Sequence, residues 1–94
     1  MTRQQFLKLE FPNLPYCHTG FKRGPSNQFW ESFHYRNSST EKQLNFFWSN
    51  DECVSIGLYD GKEPSPWKNN ITILNSTKHF TQEDLTNYCN EYLK

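Results

Sequence analysis

Glu31, His34, Tyr35 and Arg36 fall within one short stretch, FWESFHYR, and Lys22 and Arg23 precede it. A phosphodiester-cleaving site needs a base, an acid and cations that hold the phosphate, and these residue types supply all three. If the stretch is a strand, its side chains alternate between faces. Phe29, Glu31, Phe33 and Tyr35 then share one side, and Trp30, Ser32, His34 and Arg36 the other. A ribonuclease-like site would rest on His34 and Arg36, with His79 as the second acid. The preceding segment, HTGFKRGPSN, offers Gly20, Lys22, Arg23 and Gly24 as a flexible basic loop without the spacing of a phosphate-cradling P-loop. A nucleic-acid binder would use Lys22, Arg23, His34 and Arg36 against phosphates and Trp30 for stacking.

Other chemistry has less to work with. Cys17 and His18 are adjacent, and no second Cys or His pair stands at zinc-finger spacing. The expectation is therefore no metal and no cofactor. Cys17, Cys53 and Cys89 carry no motif of a nucleophilic cysteine. Cys53 and Cys89 read as small buried hydrophobes. Cys17, in a loop beside His18, is the one thiol with a neighbouring base.

The elements that must position these residues follow from periodicity. Thr2 and Gln5 form a capping-box pair, and Phe6, Leu9 and Glu10 fit helical spacing up to Pro12. Leu7, Leu9 and Phe11 also alternate like a strand, but the cap favours a short helix. Residues 13–28, with two Pro and two Gly, read as loop. FWESFHYR (29–36), QLNFFWS (43–49), CVSIGLY (53–59) and ITILN (71–75) read as strands. In QLNFFWS, Leu44, Phe46 and Trp48 take one face, and Gln43, Asn45, Phe47 and Ser49 the other. In CVSIGLY, Val54, Ile56 and Leu58 point inward, and Cys53, Ser55, Gly57 and Tyr59 outward. Asp60-Gly61 is a turn pair. At the C-terminus Thr81 is a cap with Asp84 three residues on, and Phe80 and Leu85 make a hydrophobic staple. Leu85, Tyr88, Cys89, Tyr92 and Leu93 then form one apolar helical stripe.

The expected fold is a single α+β domain over residues 1–94: a small antiparallel sheet of three to four strands, with an N-terminal helix and a C-terminal amphipathic helix packed on it. If both helices cover one face, Phe47 and Tyr59 are exposed on the other. If they cover opposite faces, Phe47 is core.

Composition bounds the function. The chain has 94 residues and no net charge, and 17% of it is aromatic: eight Phe, five Tyr and three Trp. Aliphatics are few, with eight Leu, three Ile, one Val and no Ala. Each aromatic can bury about 150–250 Å², so a small core needs only some of them, and the surplus points to an interface. Residues 1–36 sum to +3 and residues 37–94 to −3, which is weak for a nucleic-acid or membrane surface. No stretch of 18 apolar residues occurs, and Lys8 and Glu10 interrupt what would be the apolar core of a signal peptide. With an odd number of cysteines and no CxxC, a cytoplasmic location is expected.

The reading these features favour is a protein-binding module. Phe47, Tyr59 and Trp67 would be aromatic anchors, and Asp51, Glu52, Asp60 and Glu63 an acidic rim that bracket one strand at both ends. Such a rim steers toward a partner with a basic surface. A small cytosolic protein built this way fits a stoichiometric inhibitor, working as immunity proteins, antitoxins or anti-defence proteins do. The alternative is the nucleic-acid-directed protein using Lys22, Arg23, His34 and Arg36.

Overall fold

The computed structural model describes residues 2–23, 30–49, 52–62, 71–75 and 79–94. Thr2 caps a four-residue helix, α1 (Arg3–Phe6), through a capping box: its hydroxyl accepts from the Gln5 backbone N–H, and the Gln5 side chain accepts from the Thr2 N–H. The helix is shorter than the spacing of Phe6, Leu9 and Glu10 suggests. The chain then runs as irregular backbone to strand β1 (Cys17–Arg23), followed by β2 (Trp30–Asn37), β3 (Gln43–Ser49), β4 (Glu52–Tyr59), β5 (Ile71–Asn75) and helix α2 (Gln82–Tyr92). The five strands form one antiparallel sheet in the order β1-β2-β3-β4-β5.

The sheet is therefore larger than expected. Strand β1 occupies residues assigned to loop because Gly20 lies inside it and prolines flank it. Its pairing with β2 runs without interruption from Cys17 opposite Asn37 to Arg23 opposite Glu31. Gly20 is required there for a reason no local propensity reveals. The His34 imidazole of β2 lies across its Cα, and a Cβ at this position would stand 2.2 Å from His34 Nε2.

Both helices cover the same face. Phe6 from α1 and Leu85, Cys89 and Leu93 from α2 join Leu44, Phe46 and Trp48 of β3 in one buried cluster with Tyr35, Cys53, Ile56 and Phe80. Phe6 is its aromatic centre, with ring centroids 5.2 Å from Phe46, 5.1 Å from Trp48 and 5.4 Å from Phe33. Such pairs contribute about 0.5–1.5 kcal/mol each beyond area burial, so a chain poor in aliphatics still has a dense core.

Three polar ties fix the covering layer. The Tyr35 hydroxyl donates to the Pro12 carbonyl. Glu10 and Gln82 exchange backbone–side-chain bonds in both directions, joining the segment after α1 to the first turn of α2. Buried Asn37 donates from Nδ2 to the Leu93 carbonyl at 2.7 Å while its Oδ1 accepts from Ser39 and Thr40 N–H. Helix α2 carries the expected Thr81–Asp84 capping box and the Phe80–Leu85 staple, both of whose side chains are buried.

Two facial assignments differ from simple alternation. The register of β3 against β4 shifts between Phe47 and Trp48, so Trp48 pairs with Cys53 while Phe47 pairs with Ser55. This bulge turns Cys53 into the core, where alternation alone puts it outside. The second concerns the face away from the helices. Phe47 lies there half-buried, but Tyr59 is only 5% exposed, and Ser32, Gln43 and Asn45 are fully or almost fully buried. That face is not the open, water-facing surface expected when both helices share the other side.

Candidate functional site

Two surfaces stand out among the described residues, one on each side of the sheet. On the face away from the helices, register builds polar rows across four strands. His18 of β1 pairs with Arg36 of β2, Arg36 with Gln43 of β3, and Gln43 with Tyr59 of β4. One step along, Gly20, His34, Asn45 and Gly57 form the next row. Alternation forces these residues onto one side. Hydrogen bonds link the rows. Arg36 Nη1 donates to Gln43 Oε1 at 3.2 Å, and Gln43 Nε2 donates to Asn45 Oδ1 at 2.6 Å.

The electrostatics of this face are unusual for a neutral chain. Burial, and then the nearby His18 and Arg36 charges, hold the His34 imidazole below its ordinary 6.5. Arg36 is half-buried, and its hydrogen bond goes to a neutral amide; among the described residues it makes no ion pair. Beside His34 on the same strand and face, the Ser32 hydroxyl is buried without a hydrogen-bond partner.

The second surface lies on the helix side, at the β1 end of the sheet. Phe6, Leu7, Leu9, Phe11, Phe21 and Phe33 line an open groove of about 390 Å³, with Thr19 and Gly20 along its strand edge. Phe21 packs against Phe33 with centroids 5.1 Å apart and is still 46% exposed, and Leu7 is 60% exposed. The Arg3 guanidinium lies 5.5 Å from the Phe33 ring centre, a cation–π distance. Among the described residues, β1 has no neighbouring strand on its outer side, and its residues Thr19, Gly20 and Phe21 line the groove.

Only four of the residues expected to form an anchor-and-rim interface, Phe47, Glu52, Tyr59 and Asp60, are among the described residues. Asp51, Glu63 and Trp67 lie outside the described residues. Phe47 is half-buried beside Ser32 and Ser55, and Tyr59 is covered, so Tyr59 presents almost no surface as an anchor. Glu52 is exposed and bridges to Thr2 at the start of α1. Asp60 is half-buried, and its Oδ1 accepts from the Lys62 N–H at 2.9 Å, which is turn chemistry. Of the basic set, His34 and Arg36 come together as alternation requires. Lys22 and Arg23 lie in β1, opposite Ser32 and Glu31 respectively, and their side chains are outside the described structure.

Sequence reasoning misses His18 as a companion of His34 and Arg36, because residues 13–28, with two Pro and two Gly, carry the composition of a loop. It misses Phe21 for the same reason. Reading CHTGFKR as a strand with alternating sides would have found both. It would also have separated Cys17 from His18, since neighbours on a strand face opposite ways: Cys17 packs toward the core, and the two do not form a nucleophile–base pair.

All three cysteines are free. Among the described residues no group of three or more His, Cys, Asp or Glu is arranged to hold a metal ion, and no helix is long and apolar enough to cross a membrane. No family model, no curated protein and no solved structure matches this chain.

Proposed function

We propose that this chain is a small cytoplasmic protein-binding module that acts as a stoichiometric inhibitor of another protein, and that it docks through the groove beside β1. The observation that carries this reading is Phe21. A small domain with a saturated aromatic core leaves a phenylalanine 46% exposed, next to exposed Leu7, over a groove lined by four further apolar side chains and Thr19. Contiguous apolar surface of this kind, bordered by a strand edge with no neighbouring strand among the described residues, suits an extended apolar segment of a partner. Main-chain bonds to β1 would give affinity, and side chains dropping between Leu7, Phe21 and Phe33 would give specificity. The proposed docking site is thus on the helix side, not at Phe47 and Tyr59. Exposed Glu52 supplies rim charge near α1 and contributes to steering.

The test is capture of the tagged protein's partner from its own host, with nuclease treatment as a control arm and native mass spectrometry of intact complexes. One protein at fixed stoichiometry, retained after nuclease and lost from Phe21→Asp and Leu7→Asp, is the expected result. Both substitutions are at exposed positions, so circular dichroism of the variants is expected to match wild type. A partner retained by both variants would overturn the groove as the docking site. Bound nucleic acid lost on nuclease treatment would overturn the inhibitor reading itself.

A further inference from the structure

We propose that Cys17 and Cys89 form a redox pair that closes to a disulfide under hydrogen peroxide, tying the first residue of β1 to helix α2. All three cysteines are free, and the sheet register decides which of them can meet. Cys17 stands opposite Asn37 at one end of the β1–β2 ladder. At the other end Arg23 stands opposite Glu31, Glu31 opposite Trp48, and Trp48 opposite Cys53. The strand from Cys17 to Arg23 separates these ends by about 20 Å. A disulfide requires Cα atoms within about 7 Å, so Cys53 is out of reach of Cys17.

Helix α2 lies over the Cys17 end. Asn37, the register partner of Cys17, donates from Nδ2 to the Leu93 carbonyl at 2.7 Å, and Lys42 Nζ donates to the Lys94 carbonyl at 2.9 Å. The Leu93 N–H bonds in turn to the Cys89 carbonyl at 3.1 Å. Cys89 is therefore one turn back, about 6 Å along the axis and on the same helical face. Cys17 packs against the buried cluster that contains Tyr35 and Cys89. Tyr35 touches both thiols: burial first, then its hydrogen bond to the Cys17 thiol and the proximity of Cys17 and Cys89, raise its hydroxyl above the ordinary value. Cys17 is the first residue of β1 and follows irregular backbone, so it can take up the small movement that bridging needs.

The two thiols have different exposures and different roles. Cys17 is half-buried, and Cys89 is fully buried. Peroxide reaches Cys17. Its sulfur attacks one peroxide oxygen, the S–O bond forms as the O–O bond breaks, and the products are a sulfenic acid and hydroxide, which takes the proton lost by Cys17. The Cys89 sulfur then attacks the Cys17 sulfur. The S–S bond forms as the S–O bond breaks, and the departing hydroxide takes the Cys89 proton. Two thiols lose two electrons, and one peroxide becomes two waters. Burial shields Cys89 from external reagents, so the sulfenic acid on β1 is the electrophile it meets. Thiol reductants reverse the bond.

This pair does not rest on docking in the groove. The test treats the full chain with hydrogen peroxide, alkylates remaining thiols with iodoacetamide in denaturant, and maps peptides by mass spectrometry with and without dithiothreitol. The expected result is a loss of two hydrogen masses, one linked peptide pair joining Cys17 to Cys89, and alkylated Cys53. The melting temperature is expected to rise by at least about 5 °C on oxidation and to return with dithiothreitol. Cys17→Ser, at a half-buried position, is expected to fold as wild type and to keep Cys89 as a thiol under the same peroxide. Cys17 carried to sulfinic acid with no link, a link that includes Cys53, or unchanged thiols throughout would each overturn the pair. Each of these outcomes is read without any partner protein, so failure here is distinguishable from failure of the docking groove.

Discussion

Gly20→Ala is the substitution that interrogates the β1–β2 contact most directly. A methyl at this position would stand 2.2 Å from His34 Nε2, 2.3 Å from Cε1 and 3.3 Å from Cδ2. The first two are more than an ångström inside ordinary contact, so the ring must move. It is the far end of a side chain, and rotation moves it without opening the strand pair. Overpacking of this kind destabilises by about 1–3 kcal/mol. Removing a glycine from the unfolded chain gives back about 0.4–1 kcal/mol. The net expectation for Gly20→Ala is a loss of about 0.5–2 kcal/mol. In a His34→Ala background the clash is gone and only the unfolded-state term remains, so the same substitution becomes neutral or stabilising. The coupling between the two positions is then about 1–3 kcal/mol, inside the range for residues in contact. Urea denaturation of wild type, both single variants and the double variant measures it. Additivity within about 0.5 kcal/mol would refute the placement of His34 over Gly20.

The same variants carry a pH signature. Because burial, His18 and Arg36 lower the folded-state pKa of His34, the native protein binds fewer protons than the unfolded chain between that lowered value and 6.5. Stability therefore rises with pH across this window and declines as pH falls below 6.5 toward the native value. Gly20→Ala pushes the imidazole toward water, which weakens the largest cause of the shift. NMR titration is expected to find its pKa moved back up toward 6.5, and the His34 contribution to the pH slope of stability reduced. An unchanged His34 pKa in Gly20→Ala would mean that the ring's burial does not depend on this contact.

Three further perturbations test other parts of the fold. Phe6→Ala removes the ring that bridges α1 to Phe33, Phe46, Trp48 and Phe80; a loss of about 3–5 kcal/mol is expected by chemical denaturation, and a loss under about 1 kcal/mol would show that the cluster repacks without it. Gly61→Ala puts a side chain at φ +85° with its Cβ 2.7 Å from the Thr40 carbonyl oxygen; the left-handed backbone alone costs about 1–2 kcal/mol, so a stability loss of at least that size is expected, and a neutral variant would contradict this turn. Burial pushes the Cys89 thiol up to about 12, so at pH 8 a thiol reagent is expected to leave it unmodified in the native protein and to label it only after denaturation, as peptide mapping by mass spectrometry would show.

Much of the architecture is readable from local pattern, and the failures share one cause. Both capping boxes, the Phe80–Leu85 staple, the buried stripe of α2 and the inward trio Leu44, Phe46 and Trp48 depend on spacing within one element, and each appears in the structure. What spacing cannot carry is contact between elements. Gly20 reads as a strand breaker because its partner, the His34 ring, comes fourteen residues later. Cys53 reads as outward because the bulge that turns it inward belongs to the β3–β4 pair. Spacing puts Gln43, Asn45 and Ser32 on the face opposite the core trio or its neighbours on β2 but cannot say whether that face is covered, and these polar groups lie buried in rows assembled from separate strands. The polar rows on the far face of the sheet fall in the same gap. His34 and Arg36 are visible as a pair on one strand, but the third member, His18, joins only when β1 is laid beside β2 in register. A segment with the composition of a basic loop thereby contributes to both surfaces at once: Phe21 to the groove on one side of the sheet, and His18 to the polar face on the other. Alternation along a single strand makes that division unavoidable, so a substitution that disrupts β1 as a whole is expected to alter both surfaces, whereas Phe21→Asp is expected to alter the groove and leave the polar face intact.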